Sequence, residues 1–349
     1  MADINSYKVA EKTTGYIVLD GNEYPLNYDS ERLAFIVQRL KDEELNRYPD
    51  SDSNELREVY SKVINVNTEN LIAGHGSDEM LGMLISKYIS QGKKILTLAP
   101  DFSMYDFYCS LNGGEMIKYQ TEEDGQVNVS EFIKLGKEKE VDIVMFSNPN
   151  NPTGNIIRND DIEIILEQFK DIPVVVDEAY VEFYGNSMVS MIDKYKNLIV
   201  TRTLSKAWGL ANLRVGFLIA NKELVSELTK YKVPYNVSAV SQVIAFNVLE
   251  NENVEEHIEK ILMWKDEFYT ELENIQKESC IDIKFYKGNS NFIYGRCKEK
   301  TALLAELENK KIKIRNFNDD TFRITVGVPV QNKQVLDAIK KTCIYEEEF

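Results

Sequence analysis

Histidine and cysteine are scarce in this chain of 349 residues, which has two of the first and four of the second. The cysteines, Cys109, Cys280, Cys297 and Cys343, have no zinc-type spacing, and a chain of this length needs no disulfide staples. Reduced, packed thiols are the expectation. His75 and His257 alone make a histidine-rich metal site a poor reading. Basic residues are also short, with 41 Lys and Arg against 57 Asp and Glu and a net charge of −16. No basic field is available to displace counterions from a phosphate backbone, so a nucleic-acid partner is excluded. The apolar runs stop at about five residues, far below the ~20 of a membrane-crossing helix, and no apolar leader opens the chain. A cytoplasmic protein without a membrane partner is expected.

What the sequence does have is ordinary globular composition, 43% hydrophobic and 28% charged, and a recurring unit. Short β-branched runs (94–98, 141–146, 174–176 and 198–200) each end in polar or turn residues and alternate with amphipathic helical stretches such as 160–169. Such runs predict an α/β fold, a mainly parallel central sheet covered by helices on both faces. In sheets of this kind the loops at the carboxyl ends of the strands line the ligand crevice. From about residue 238 the texture changes to a long charged helical stretch over 251–277 and then strands near 281–286, 291–294 and 321–326. The division expected is an N-terminal arm over 1–28, a large domain over 29–240 and a smaller α+β domain over 241–349.

The chemistry centres on Ser205-Lys206. A lone lysine beside a crevice reads as a solvated surface group, but a desolvated one is a Schiff-base nucleophile, the usual anchor for pyridoxal 5′-phosphate. That cofactor makes further demands. Its ring nitrogen needs an acid, and Asp177 ends a buried strand where a carboxylate otherwise faces a desolvation cost. Its phenolic oxygen needs donors, for which Asn151 and Tyr180 are available. Its phosphate needs a helix N-terminus, hydroxyls and a cation. Gly74–Glu79, with Ser77 and Asp78, opens a helical pattern, and Thr203, Ser205 and Arg214 supply the rest. Gly74–Asp78 alone also reads as a capped turn. Phe102 suits stacking on the ring, although alone it reads as core.

The chain resembles the fold-type I pyridoxal-phosphate aminotransferases, and among them the histidinol-phosphate aminotransferase subfamily. The likeness runs in one order through Asn22-Glu23-Tyr24-Pro25, Arg47-Tyr48-Pro49, Gly76-Ser77-Asp78-Glu79, Asn148-Pro149-Asn150-Asn151-Pro152-Thr153-Gly154, Asp177-Glu178-Ala179-Tyr180, Ser205-Lys206 with Arg214, and Arg323-Ile324-Thr325-Val326-Gly327. The resemblance implies that Lys206 carries the cofactor and shuttles a proton between Cα and C4′. It implies that Asp177 pairs with the ring nitrogen, Asn151 and Tyr180 with the phenolic oxygen, and Ser77, Asp78, Ser205, Arg214 and Thr203 with the phosphate. It further implies that Tyr48 reaches the neighbouring subunit's site in a homodimer, that Arg323 and Asn22 bind substrate, and that Tyr7 belongs to a lid.

The implied activity is transamination of histidinol phosphate with 2-oxoglutarate, a step of histidine biosynthesis. Close alternatives are an aromatic or broad-range aminotransferase and a threonine-phosphate decarboxylase. A non-enzymatic regulator has little chain left for a second domain. Three departures stand out: Phe102 where the family often has Tyr, Asp20-Gly21-Asn22-Glu23 where it has Asn/Asp-Ala-Asn-Glu, and Trp208-Gly209 after the lysine. The glycine suggests a looser arm.

Overall fold

The computed structural model describes residues 14–343. In chain order its strands are β1 (Ile17–Leu19), β2 (Leu71–His75), β3 (Lys94–Ala99), β4 (Glu115–Gln120), β5 (Ile143–Ser147), β6 (Val174–Asp177), β7 (Leu198–Thr203), β8 (Val215–Ala220), β9 (Ile283–Tyr286), β10 (Phe292–Cys297), β11 (Ile312–Asn316) and β12 (Thr321–Thr325). Seven form one sheet in the order β2-β8-β7-β6-β5-β3-β4, and five form another in the order β1-β11-β12-β10-β9.

In the larger sheet β4, β3, β5, β6 and β7 run parallel, and only β8 runs against its neighbours. The period of two along each strand builds two cores. Val144, Phe146, Val174, Val176, Leu198 and Val200 point to one face, beneath helices Asn54–Val63, Asn159–Gln168 and Ala239–Asn251. Ile143, Met145, Val175 and Ile199 point to the other, beneath Gly76–Tyr88 and Met104–Leu111. Continuous apolar runs are therefore required, because both faces are covered.

The topology also collects polar groups. β3, β5, β6 and β7 end at Ala99, Ser147, Asp177 and Thr203 on one edge of the sheet, and β2 feeds the helix Gly76–Tyr88 at that same edge. β8 starts there, directly after Arg214. Its second residue, Gly216, passes so close to the helix start that a Cβ would lie 2.3 Å from the Ser77 nitrogen.

Several expectations need refinement or correction. Residues 17–19 of the arm are a strand, parallel to β11 at the edge of the small sheet. The arm is not loosened at its glycine either: Arg323 Nη2 donates to Asp20 O at 2.6 Å, and Lys206 Nζ to Gly21 O at 2.8 Å. The charged stretch over 251–277 is interrupted. One helix ends at Asn251, and Asn253 caps the next, Val254–Glu278, by accepting from the Glu255 N–H at 3.0 Å. The first of these, Ala239–Asn251, buries Ala245, Val248 and Leu249 in the large core, so the expected boundary at 240/241 falls at the start of a large-core helix. Cys280 is exposed, whereas the other three thiols are buried. Among the described residues no helix is long and apolar enough to cross a membrane.

Candidate active site

A cavity of about 1110 Å³ opens where the strand ends of the large sheet face the arm and the β11–β12 hairpin. Its wall carries Lys206, Asp177, Tyr180, Asn151, Phe102, Ser77, Asp78, Thr203, Ser205, Arg214 and Arg323. Eleven of the fourteen site residues expected from sequence thus share one space.

Lys206 is on its wall. The amine, half-buried and bonded to Gly21 O at 2.8 Å, is pushed down to about 8, chiefly by desolvation and next by the Arg323 charge. Its lowered pKa and its position over the cavity suit a nucleophile and proton carrier near neutral pH.

Asp177 is 2% exposed. Its Oδ2 accepts from the Tyr105 hydroxyl at 2.9 Å and its Oδ1 from Thr201 Oγ1 at 3.0 Å. Both partners are neutral, and burial pushes the carboxyl up to about 6. A buried carboxylate held only by neutral donors is suited to a cation brought in from the cavity.

Tyr180 is fixed from behind. Its hydroxyl oxygen accepts from Asn22 Nδ2 at 2.9 Å, so its own proton is available to an acceptor in the cavity. Burial raises the phenol, which keeps that proton in place. Asn151 Oδ1 accepts from Arg323 Nη1, which leaves the amide group of Asn151 to donate. The Arg323 guanidinium also stands 5.2 Å over the Phe292 ring.

At the other end is an anion cradle. Ser77 is the second residue of the helix Gly76–Tyr88, whose first N–H groups have no partner within the helix. Gly76 has φ of +76°, and a Cβ there would lie 2.7 Å from Arg214 Nη2, so this position requires glycine. Arg214 donates to Asp78 Oδ2 at 3.0 Å and to Ser205 Oγ at 3.2 Å, and Thr203 Oγ1 donates to Ser205 Oγ at 2.9 Å.

Three expected residues lie elsewhere. Asn22 is buried behind Tyr180 rather than on the wall. Its N–H donates to Thr325 Oγ1 at 2.9 Å, and its Oδ1 accepts from that hydroxyl at 3.1 Å. The same side chain cannot satisfy these bonds and reach substrate, so its place is a support for the phenol. Tyr48 is 81% exposed, stacked on Tyr235 at 4.7 Å and outside the cavity of its own chain. Tyr7 lies outside the described residues.

Sequence reasoning missed Arg315, Asp101 and Tyr105. Arg315 lines the cavity from the end of β11. Its signal was the alternation Lys311-Ile312-Lys313-Ile314-Arg315, in which the two buried isoleucines put the basic residues on the opposite face. Asp101 and Tyr105 gave no signal beyond their place after β3.

A sheet with a lysine of lowered pKa, a buried carboxylate and a helix N-terminus faced by Arg214 at one edge defines a pyridoxal-phosphate enzyme. The chain belongs to the aminotransferase class I and II family, whose model matches residues 14–339. It is 40% identical to a histidinol-phosphate aminotransferase of Clostridium novyi (strain NT), over 93% of this chain and 91% of that one. Among solved structures, the histidinol-phosphate aminotransferase of Clostridium acetobutylicum superimposes with a TM-score of 0.82 at 25% identity, covering 93% of this chain and 98% of that one. The enzyme of that name from Sinorhizobium meliloti, solved with pyridoxal 5′-phosphate, has a TM-score of 0.84 at 19% identity, covering 94% and 90% of the two chains, and shows the shared fold. The protein is an aminotransferase that uses pyridoxal phosphate and acts on an amino donor and a 2-oxo acid.

Proposed function

We propose that this aminotransferase moves the amino group of histidinol phosphate to 2-oxoglutarate in the cytoplasm. The observation that carries the reading is the pair of guanidinium groups, Arg315 and Arg323, on the wall of the cavity that holds Lys206. A donor that ends in a phosphate and an acceptor that ends in carboxylates must be held in turn by one site, and guanidinium groups match both anions. The relatives named above support the choice of donor.

Bound pyridoxal phosphate supplies the electron-withdrawing ring that acidifies the donor's Cα–H. Residues of the chain do the rest. Lys206 holds the cofactor and then, as a free amine, moves the proton at Cα. Asp177 stabilises positive charge at the ring nitrogen, while Tyr180 and Asn151 donate to the phenolic oxygen. Ser77, Asp78, Thr203, Ser205 and Arg214 would hold the phosphate end, and Phe102 would stack on the ring. Arg323 fixes the substrate anion over the crevice.

Histidinol lacks the phosphate that the guanidinium groups would hold, so charge-assisted bonds worth roughly 2–3 kcal/mol are lost. The value of kcat/KM for histidinol phosphate is therefore expected to exceed that for histidinol by on the order of 10²-fold. The assay is oxo-acid-dependent turnover of histidinol phosphate, histidinol, phenylalanine and threonine phosphate, side by side. Faster turnover of phenylalanine makes the enzyme an aromatic aminotransferase, and stoichiometric carbon dioxide from threonine phosphate makes it a decarboxylase.

The same reading includes a homodimer. Tyr48 is exposed and stacked on Tyr235, and Leu45, Tyr231 and Val233, close to these two in sequence, are 76, 53 and 62% exposed. An apolar surface of this kind suits a second copy, and it would bring Tyr48 to the partner's cavity. Sedimentation at micromolar concentration is expected to give a dimer; a fully active monomer refutes the shared site.

A further inference from the structure

The loops after β3 and β5 meet at one side chain that the roles above do not use. Asp101, on the cavity wall, accepts through Oδ1 from the Phe102 N–H at 2.8 Å and from Ser147 Oγ. Its Oδ2 accepts from the Ser147 N–H at 3.2 Å and from Thr97 Oγ1 at 3.4 Å. The Ser147 hydroxyl, its proton directed at Asp101, in turn accepts from the Asn151 N–H at 2.9 Å. On the other side, the Phe102 ring meets Tyr105 edge-on with centroids 5.7 Å apart, and Tyr105 is the phenol bonded to Asp177. One carboxylate therefore ties residue 102 directly, and residue 151 through a single hydroxyl, in the loops after the paired strands β3 and β5.

The bonding explains why an acid stands there. Two of the four bonds come from backbone N–H groups, which can only donate, and two from hydroxyls that donate here, so a side chain with two acceptor oxygens suits the place. An amide of the same shape turns NH₂ towards one pair of donors, and a hydroxyl reaches too few of them. Burial raises the Asp101 carboxyl to about 7, and its bonds to these donors strengthen as it ionises above that value.

We propose that Asp101 is a positioning residue that holds the Phe102 ring and the Asn151 amide in register with the ring of bound pyridoxal phosphate. The proposal rests on the reading of Phe102 and Asn151 as ring contacts and goes beyond it, because it gives a role to Asp101, which that reading leaves unused. Its effect is on the orientation and hold of the cofactor.

The test is titration of apoenzyme with pyridoxal 5′-phosphate, followed by visible circular dichroism, which reports how the bound ring is oriented. Asp101→Asn is expected to raise the Kd for the cofactor by about tenfold, the scale of one lost hydrogen bond. It should also halve the visible dichroism per bound cofactor, while the apoenzyme Tm stays within a few degrees of wild type. Ser147→Ala keeps the bond to Phe102 and cuts the path to Asn151, so a smaller change of the same sign is expected. Phe102→Leu and Asn151→Ala serve as references. If the references alter the dichroism and both Asp101→Asn and Ser147→Ala leave it at the wild-type value, Asp101 has no positioning role. A lowered Tm with unchanged dichroism overturns the proposal too, since that is the mark of a merely structural residue. If the references change nothing, the ring contacts lie elsewhere and the proposal falls with them. Should Asp101→Asn fail to fold, Ser147→Ala decides by the same readout.

Discussion

Lys206→Ala is expected to lose the covalent link to pyridoxal phosphate and to lower turnover by about 10⁴-fold, the upper range for loss of a positioned acid–base group. Cofactor binding itself should persist, because Arg214, Ser205 and the start of the helix Gly76–Tyr88 are untouched. Borohydride reduction of the wild-type holoenzyme and peptide mapping should place the pyridoxyl group on Lys206 alone. The environment of the amine adds a pH signature. Burial and the Arg323 charge lower it to about 8, so the ammonium yields to the nucleophilic amine as pH rises through that value. The rate of covalent loading of apoenzyme should climb from pH 6.5 to 8.5 relative to an Arg323→Gln variant, and then level. An ordinary lysine, with a pKa near 10.4, would still be gaining at pH 9.5. Turnover of Lys206→Ala within tenfold of wild type, or a pyridoxyl group on another lysine, removes Lys206 from this role.

What could be read in the sequence follows from where each contact partner lies along the chain. Lys206, Asp177, Asn151 and Arg214 were legible because each follows or borders a run that must be a buried strand, and a charged or amide group there has few bland explanations. Of the large sheet, β3, β5, β6 and β7 were legible for the same reason, whereas β2 and the apolar run of β8 were not read as strands. Three others gave weak signals. β4 shows one buried residue, Ile117, because it is an edge strand, and β1 is three residues long and pairs with a strand nearly 300 residues away in sequence. β11 was lost among lysines that cover its outer face. The supporting groups were hidden by distance of another kind. Asp101 is bonded to Ser147, 46 residues on, and Tyr105 to Asp177, 72 residues on, so neither partner is a local pattern. Asn22 was assigned to the correct region and the wrong face. Its φ of +53° turns the backbone so that the side chain runs under Tyr180, and no spacing rule foretells that.

Asp177→Asn is expected to cost far more in rate than in affinity. The variant keeps shape and can still accept from Thr201 or Tyr105, but it loses the charge that stabilises a protonated ring nitrogen. Loss of one preorganised electrostatic group costs roughly 3–4 kcal/mol in the barrier, a fall in kcat of about 150- to 900-fold. Retention of more than a tenth of wild-type kcat means that the carboxylate does not have this function. Its pH behaviour offers an independent check. In apoenzyme the folded carboxyl lies near 6, above the 3.8 of an ordinary aspartate. Between those values the folded chain keeps a proton that the unfolded chain has released, so this group lowers apoenzyme stability as pH rises from about 4 to 6. A cationic ring nitrogen reverses the balance by favouring the ionised form. Bound cofactor should therefore raise Tm more at pH 7.5 than at pH 5, and in Asp177→Asn that gain should differ much less between the two pH values. Thermal melts of apo- and holoenzyme at both pH values measure the difference directly. Equal pH dependence in wild type and variant would show that the carboxylate faces no cation. A pyridine nitrogen left neutral is a weak electron sink, so the loss of that pH dependence and the loss of rate should appear together in the same variant.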